Sequence, residues 1–357
     1  MQGTQHENKT TMRAAILREL QKPVYLSDVP VPGIGRDEVL VEMKACGICA
    51  TDLHIMDGMG YKPQLPHILG HEPSGVVSRI GEDVKRVKPG DRVIPNIFFT
   101  CGECYYCRTN RETLCQNFKG LGVGTNGGYA EYFKAQARNL FKLPDNIGFE
   151  EGSVIADAVV TAVHAVRRRA QVKSDDLVLI NGIGGVGQSV IQVSRKTGAK
   201  TVALGRNQPR LDVAKRLGAD YVVNSRERDV IDFVKDLTSG SGVDIVIDNV
   251  GTRESVAQGI SLVRPGGRVV MVGETDETIP ISTFQLCTKE YEIIGSRSGG
   301  RQDTVEAIEL VEEGTVTPFI SDKFPLERIN EAFERVKSGN VLGRAVVLGN
   351  NHSQKSP

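Results

Sequence analysis

The chain has 357 residues, 39% of them hydrophobic and 25% charged, with 44 basic side chains balanced by 44 acidic ones. This length suits two domains of ordinary size, and the composition is that of a soluble globular protein. A nucleic-acid binder is disfavoured because no basic excess exists to meet a phosphate backbone, and no apolar run reaches membrane-spanning length.

The N-terminal stretch MQGTQHENKTT is polar rather than signal-like, and it reads with NNHSQKSP from Asn350 as a pair of loose tails. These features lead to the expectation of a cytoplasmic protein. Residues 12 to about 156 are rich in Gly, Pro and short apolar alternations. VLVEMKA, SGVVSRI and DRVIPNI read as strands, broken by turn signals such as Pro89-Gly90-Asp91. An antiparallel, mostly β region is expected here.

From Leu177 the rhythm changes to α/β. LVLIN (177–181) reads as a buried strand, followed by a helix with Val186, Val190, Ile191 and Val193 on its apolar positions. TVALG (201–205), YVVN (221–224), DIVIDN (244–249) and RVVMVG (268–273) are further strands. Helices are expected between them near 210–217, 229–237 and 254–263. This alternation implies a doubly wound parallel sheet covered on both faces, with YEIIGS (291–296) as its closing strand. DTVEAIELVEEG and RINEAFERVKSG read as amphipathic helices and GRAVVLG as a strand; all three are expected to fold back onto the first region. The predicted division is 1–158, 159–297 and a return segment 298–357.

Strand 177–181 runs into Gly182-Ile183-Gly184-Gly185-Val186-Gly187 and then a helix. GxGxxG alone is a weak signal, but within a βαβ unit it points to a dinucleotide. Gly182 permits the tight turn, Gly184 admits the pyrophosphate, and Gly187 lets helix and strand pack closely. The helix start at Gly185 and Val186 offers unpaired N–H groups to the phosphates. The second strand ends in Gly205-Arg206, where an NAD site usually carries an acid about 20 residues past the glycines. Without that carboxylate, and with Arg206 as a fork-shaped donor for a 2′-phosphate, NADP(H) is the expected cofactor. The competing reading is a surface arginine in a site that also accepts NAD(H).

Four of the seven cysteines, Cys101, Cys104, Cys107 and Cys115, fall in one short lobe. Without an export signal such clustering favours metal over disulfides, and a tetrahedral structural zinc suits four thiolates. An iron–sulfur site competes, although no ferredoxin run matches this spacing. An incompletely filled or oxidised cluster is a third reading.

Two more segments carry ligand-type residues: 46–54, CGICATDLH, and Gly70-His71-Glu72. With them the sequence resembles the zinc-containing medium-chain alcohol dehydrogenase family, within the medium-chain dehydrogenase/reductase superfamily. The GHE-x2-G-x5-G-x2-V signature is carried by residues 70–84, through Gly75, Gly81 and Val84, and the resemblance covers roughly residues 12–349. It implies a GroES-like catalytic domain beside a Rossmann cofactor domain, and a small-molecule alcohol or carbonyl substrate. It further implies one catalytic and one structural zinc, and a homotetramer.

By that resemblance Cys49 and His71 are catalytic zinc ligands, and Glu72 is the neighbouring acid that approaches the metal when water or substrate leaves. Asp52 orients His71. Many relatives have a cysteine as third ligand; here the alignment of DAVVTAVHA puts Asp157 there, and one negative charge is kept. The plain alternative for Asp157 is a helix-start residue. Thr51 and His54 match the family's proton relay, against a surface histidine as the bland reading of His54. Arg344 resembles the family's pyrophosphate arginine, and Arg210 aligns with a basic residue near the adenosine ribose.

Arg167-Arg168-Arg169 reads as a solvated helix end, and His67, His164 and Cys287 as structural. Segments 63–69 and 296–301 are expected to contribute to the substrate pocket. A polyol or threonine-type dehydrogenase shares most of these motifs. A zinc-free enoyl reductase should lack the Cys49, His71 and Asp157 set. A non-catalytic NADPH-binding protein need not keep Thr51 and His54.

Overall fold

The apolar alternation of the first 150 residues folds as antiparallel sheet. The structure is a computed structural model that describes residues 10–349. The expected tails at 1–11 and from Asn350 lie outside the described residues, except that Thr10 is described and Thr11 opens the first strand. The chain divides into two compact units, one of residues up to Asp157 together with those from Ile320, the other from Ala158 to Phe319.

In the first unit β1 (Thr11–Leu17), β2 (Tyr25–Pro30), β3 (Glu38–Ile48) and α1 (Ala50–Met56) are followed by β4 (His67–Ile68), β5 (Glu72–Ile80) and β6 (Arg92–Pro95). A lobe made of β7 (Phe98–Phe99), α2 (Tyr105–Arg108) and β8 (Lys119–Gly120) precedes β9 (Tyr132–Gln136), β10 (Leu140–Lys142) and α3 (Phe149–Val154). The chain returns to this unit as β17 (Ile320–Pro325), α11 (Ile329–Lys337) and β18 (Arg344–Leu348). The main sheet runs β10-β6-β5-β3-β18-β17, with β9 also paired to β3. Strand β3 is its organiser, because residues such as Val39, Val41 and Ala45 are fully buried on a long, β-branched run. Each such valine removed from water contributes roughly 1.5–3 kcal/mol.

Register then sets the site. Gly47 of β3 faces Glu72 of β5, and Ala345 of β18 faces Ile48. One end of three neighbouring strands therefore carries Cys49, His71-Glu72 and Arg344.

In the second unit, α4 (Val160–Val163) precedes β11 (Leu177–Asn181), α5 (Gly185–Lys196), β12 (Lys200–Gly205), α6 (Gln208–Arg216), β13 (Tyr221–Asn224) and α7 (Val230–Thr238). There follow β14 (Val243–Asp248), α8 (Arg253–Leu262), β15 (Val263–Met271), α9 (Thr283–Lys289), β16 (Glu292–Gly295) and α10 (Arg301–Glu312). The six strands pair in parallel in the order β13-β12-β11-β14-β15-β16. Strand order reverses between β11 and β14, which makes their carboxyl ends the topological switch point where open α/β sheets bind ligands. The α/β expectation is borne out, including YEIIGS as the closing strand.

Two expectations need correction. The return segment begins at Ile320 and not at 298, because α10 is fixed within the second unit: Asp303 accepts from His164 Nδ1 at 2.9 Å and from Arg168 Nε at 3.0 Å. Nor is the arginine run a merely solvated helix end. Arg167 and Arg168 both pair with Glu306, and Arg169 donates to the Gly295 carbonyl.

Candidate active site

Helix α1 begins directly after β3, and Cys49 is its N-cap residue in extended conformation. Asp52, in the first turn, accepts from the Cys49 N–H at 3.1 Å, where a carboxylate also meets the positive end of the helix. Its other partners come from far along the chain. Asp52 accepts from Gly70 N–H at 3.2 Å, from His71 Nδ1 at 3.3 Å and from the Tyr129 hydroxyl at 2.9 Å. The four bonds use both oxygens of a carboxylate with no solvent exposure. Burial alone would raise this carboxyl. The charge and hydrogen bonds of His71, Cys49 and Tyr129 outweigh it and hold Asp52 below the usual range.

The consequence falls on His71. Asp52 fixes its Nδ1 as the hydrogen-bonding nitrogen and leaves Nε2 to face Glu72 Oε1 at 3.7 Å and Asp157 Oδ2 at 4.0 Å. Burial lowers the imidazole's basicity, but Asp52 and Cys49 together push it well above the ordinary value. Cys49 Sγ lies 3.7 Å from Asp157 Oδ2. Asp157 itself stands in a π-helical turn, Ile155–Val159, a feature that often marks functional positions.

The donor atoms of Cys49, His71, Glu72 and Asp157 all lie within 4.8 Å of one another. A tetrahedral zinc with ligand bonds of about 2.0–2.3 Å would space its donors roughly 3.3–3.8 Å apart. The 3.7 Å between Cys49 and Asp157 falls in that range and the 4.0 Å between His71 and Asp157 lies just beyond it, and the chemistry of a thiolate, an imidazole and a carboxylate suits such an ion.

Arg344 is the residue whose placement differs most from its expected role. Its guanidinium, 7% exposed, forks onto Glu72, with Nε at 2.9 Å from Oε2 and Nη2 in contact with Oε1. The same Nη2 donates to Asp157 Oδ2 at 2.9 Å. Gly47 makes the room, since a Cβ there would come within 2.0 Å of Glu72 Oε2. Burial pushes the Glu72 carboxyl up, and Asp157 adds to the push, while Arg344 and His71 oppose it; the balance stands at about 7. In this structure the arginine is bound to the carboxylates of the metal-type cluster.

Thr51 and His54 share one face of α1, one turn apart, and both are half-buried. Thr51 Oγ1 lies 3.6 Å from Cys49 Sγ.

The four-cysteine lobe is equally defined. Its Sγ atoms are separated by 3.5 Å (Cys104–Cys107), 3.6 Å (Cys101–Cys115), 3.9 Å (Cys101–Cys107) and 4.0 Å (Cys104–Cys115). Sulfurs around one zinc at about 2.3 Å would stand roughly 3.8 Å apart. Backbone N–H groups of Cys101 and Cys104 already point at Cys115 and Cys101 sulfurs. The Cys107 N–H holds the Cys104 thiol down at about 6, whereas burial pushes the Cys107 thiol up to about 12. Thiols so crowded ionise together only with a cation among them.

At the switch point Gly182 has φ +87°, and a Cβ on Gly187 would come within 2.1 Å of the Gly182 carbonyl oxygen. Both positions therefore exclude side chains, as the turn into α5 requires. A Cβ on Gly184 would meet no protein atom, so the backbone in front of the helix N-terminus is open to an approaching phosphate. Gly205 ends β12 and Arg206 is exposed just beyond it. Asn207 caps α6 through the Arg210 N–H, and burial lowers the basicity of the half-buried Arg210 guanidinium. These features fit a dinucleotide.

Sequence reasoning missed Tyr129. Its ring is fully buried and edge-on to Phe333, and its hydroxyl reaches Asp52. The local signal was a tyrosine directly after Gly127-Gly128. His67 and His164 both have partners, the Gly122 carbonyl and Asp303. Cys287 is exposed.

Comparison with known proteins adds to this geometry. The pattern of the alcohol dehydrogenase GroES-like domain matches residues 35–145, and that of the zinc-binding dehydrogenase matches residues 185–313. An alcohol dehydrogenase of Geobacillus stearothermophilus is 39% identical over 94% of this chain and 99% of its own length. A D-arabitol-phosphate dehydrogenase of Enterococcus avium is 35% identical over 88% of this chain and 91% of its own length. Among solved structures, the alcohol dehydrogenase of the archaeon Aeropyrum pernix superposes with a TM-score of 0.89 at 35% identity, covering 94% of this chain and 99% of that one.

Proposed function

The chain belongs to the zinc-containing medium-chain alcohol dehydrogenase family, and on that premise we propose that it interconverts an alcohol and its aldehyde or ketone with NADP(H) as preferred cofactor. The observation that carries the reading is the convergence of Cys49, His71, Glu72 and Asp157 on one point. Cys49, His71 and Asp157 would hold the catalytic zinc, and Cys101, Cys104, Cys107 and Cys115 the structural one. The turn from Gly182 through Gly184, Gly185 and Val186 to Gly187, with Gly205, Arg206 and Arg210, would hold the dinucleotide; Arg344, expected at the pyrophosphate, is instead engaged by Glu72 and Asp157 and is left out of that set.

Bound together, zinc supplies a Lewis acid that makes an alcohol hydroxyl acidic near neutral pH, and the dinucleotide supplies a hydride acceptor. The protein's own residues do the rest. Asp52 holds His71 in one tautomer and one orientation. Cys49 and Asp157 bring two negative charges, so the dication and a neutral imidazole make a formally neutral centre. As hydride leaves the carbinol carbon, Thr51 Oγ1 would accept the alcohol's hydroxyl proton while releasing its own toward His54, the terminal acceptor that would return it to water. In the reducing direction the same path delivers it.

The preference for NADP rests on Arg206 at the tip of β12, with no acid there to repel a 2′-phosphate. A relative from Sulfolobus acidocaldarius, 33% identical, is called NAD-dependent, so the two cofactors must be compared directly. The Enterococcus avium relative supports a polyol-type substrate as the second reading. Among the described residues no helix is long and apolar enough to cross a membrane, and all seven cysteines are free, which suits a reducing compartment such as the cytoplasm. A homotetramer completes the proposal.

A screen of primary and secondary alcohols, sugar alcohols, aldehydes and ketones with NADPH and NADH tests the reading. Activity that chelation abolishes and zinc restores supports it. Turnover indifferent to chelation, or none with any alcohol or carbonyl, would remove it.

A further inference from the structure

We propose that the first unit carries a second small-molecule site, made for a carboxylate with an apolar body. A cavity of about 620 Å³ lies between β1, β2, β4 and the four-cysteine lobe, and none of Cys49, His71, Glu72 or Asp157 lines it. That volume falls in the range of roughly 300–1,000 Å³ typical of ligand sites. Its floor is part of the hydrophobic core: Met12, Ile16, Ile68 and Phe133 are all buried yet contribute surface to it.

The rim is cationic. Of its charged side chains, Lys134 is compensated by Glu38 at 2.9 Å. Among the described residues Arg138 has only neutral acceptors, the Gln136 side chain at 3.2 Å and the Cys101 carbonyl at 3.0 Å. Lys119, exposed on β8, has no carboxylate partner among the described residues. Two uncompensated cations above an apolar floor select an anion with a hydrocarbon tail. The carboxylate would face Lys119 and Arg138. Each tail methylene buried on the floor would add about fourfold in affinity.

The site is independent of the catalytic reading, and its test uses the zinc-loaded full chain with octanoate as probe. Calorimetric titration is expected to show saturable binding of one octanoate per chain, with octyltrimethylammonium not binding. Lys119→Glu should weaken octanoate about tenfold or more, since a charge-assisted contact is replaced by repulsion. Val29→Trp, which fills the cavity from β2 without changing charge, should abolish binding while the unfolding temperature stays unchanged; His71→Ala should leave it intact. No binding at millimolar octanoate, equal binding of the cationic probe, binding unmoved by both cavity variants, or loss in His71→Ala alone would each overturn the proposal.

Discussion

Arg344 donates through Nη2 to Asp157 Oδ2 at 2.9 Å, the same oxygen that faces Cys49 Sγ at 3.7 Å. One carboxylate oxygen thus stands between a fixed guanidinium and the centre of the cluster. A buried pair loses about 3–5 kcal/mol when one partner is removed, because the other charge is left without compensation. We expect Arg344→Met to destabilise the metal-free protein by about that amount, with zinc recovering part of it. Arg344→Lys should recover less than the wild-type value, since an ammonium cannot fork onto Glu72 and Asp157 together. Denaturant unfolding with chelator and with zinc measures both; equal stability of all three proteins would contradict the assignment.

Tyr129 supplies the one side-chain hydroxyl among the four donors to Asp52. Tyr129→Phe leaves the ring packing against Phe333 in place and removes a hydroxyl shared between the Asp52 carboxylate and the Gly47 carbonyl, a loss of about 1.5–3 kcal/mol. His71 is then held less firmly, and zinc affinity at the Cys49 cluster should fall about 10–100-fold while the four-cysteine lobe keeps its ion. Competition with a chromophoric chelator resolves the two events. Two unchanged affinities would show that Tyr129 only fills space.

The two kinds of error made from the sequence share a cause. Strand 177–181, the glycine turn and the four-cysteine spacing are local signals, because a few adjacent residues carry the whole constraint; the strand is found as read, the glycines stand at a strand-to-helix turn and the four sulfurs lie together. What the sequence concealed depends on pairings far apart. Arg344 meets Glu72 across 272 positions, through the pairing of β18 with β3. Tyr129 meets Asp52 across 77, and Arg168 meets Asp303 across 135. No periodicity encodes such meetings, so the arginine run looked solvated and Tyr129 went unnoticed.

Asp303 gives a pH prediction. Burial would raise its carboxyl, but the His164 hydrogen bond and charge, the Gly300 N–H and Arg168 outweigh this and hold it below its unfolded value. A carboxylate depressed in the folded state adds stability above its unfolded pKa of about 3.9, and that stability is lost as pH falls through the lower folded value. The stability gap between wild type and Asp303→Asn should therefore be full above about pH 5 and shrink progressively as pH falls below about 4 toward the lower folded value. Urea midpoints across that range report it; a gap that widens on acidification would reverse the sign.

Arg206 governs cofactor choice if the 2′-phosphate sits at the tip of β12. Arg206→Asp should lower kcat/KM with NADP(H) by at least about tenfold and improve NAD(H), as a carboxylate there repels phosphate and accepts from ribose hydroxyls. Parallel losses with both cofactors would mean that Arg206 does not read the phosphate.

Anomalous diffraction at the zinc absorption edge, on crystals of the wild type and of Asp157→Ala, addresses the metal centre itself. The wild type should show one peak bonded to Cys49, His71 and Asp157 and another inside the four-cysteine lobe, and the variant should keep only the second. A first peak that persists unchanged in Asp157→Ala, or that never appears in the zinc-loaded wild type, would contradict the account.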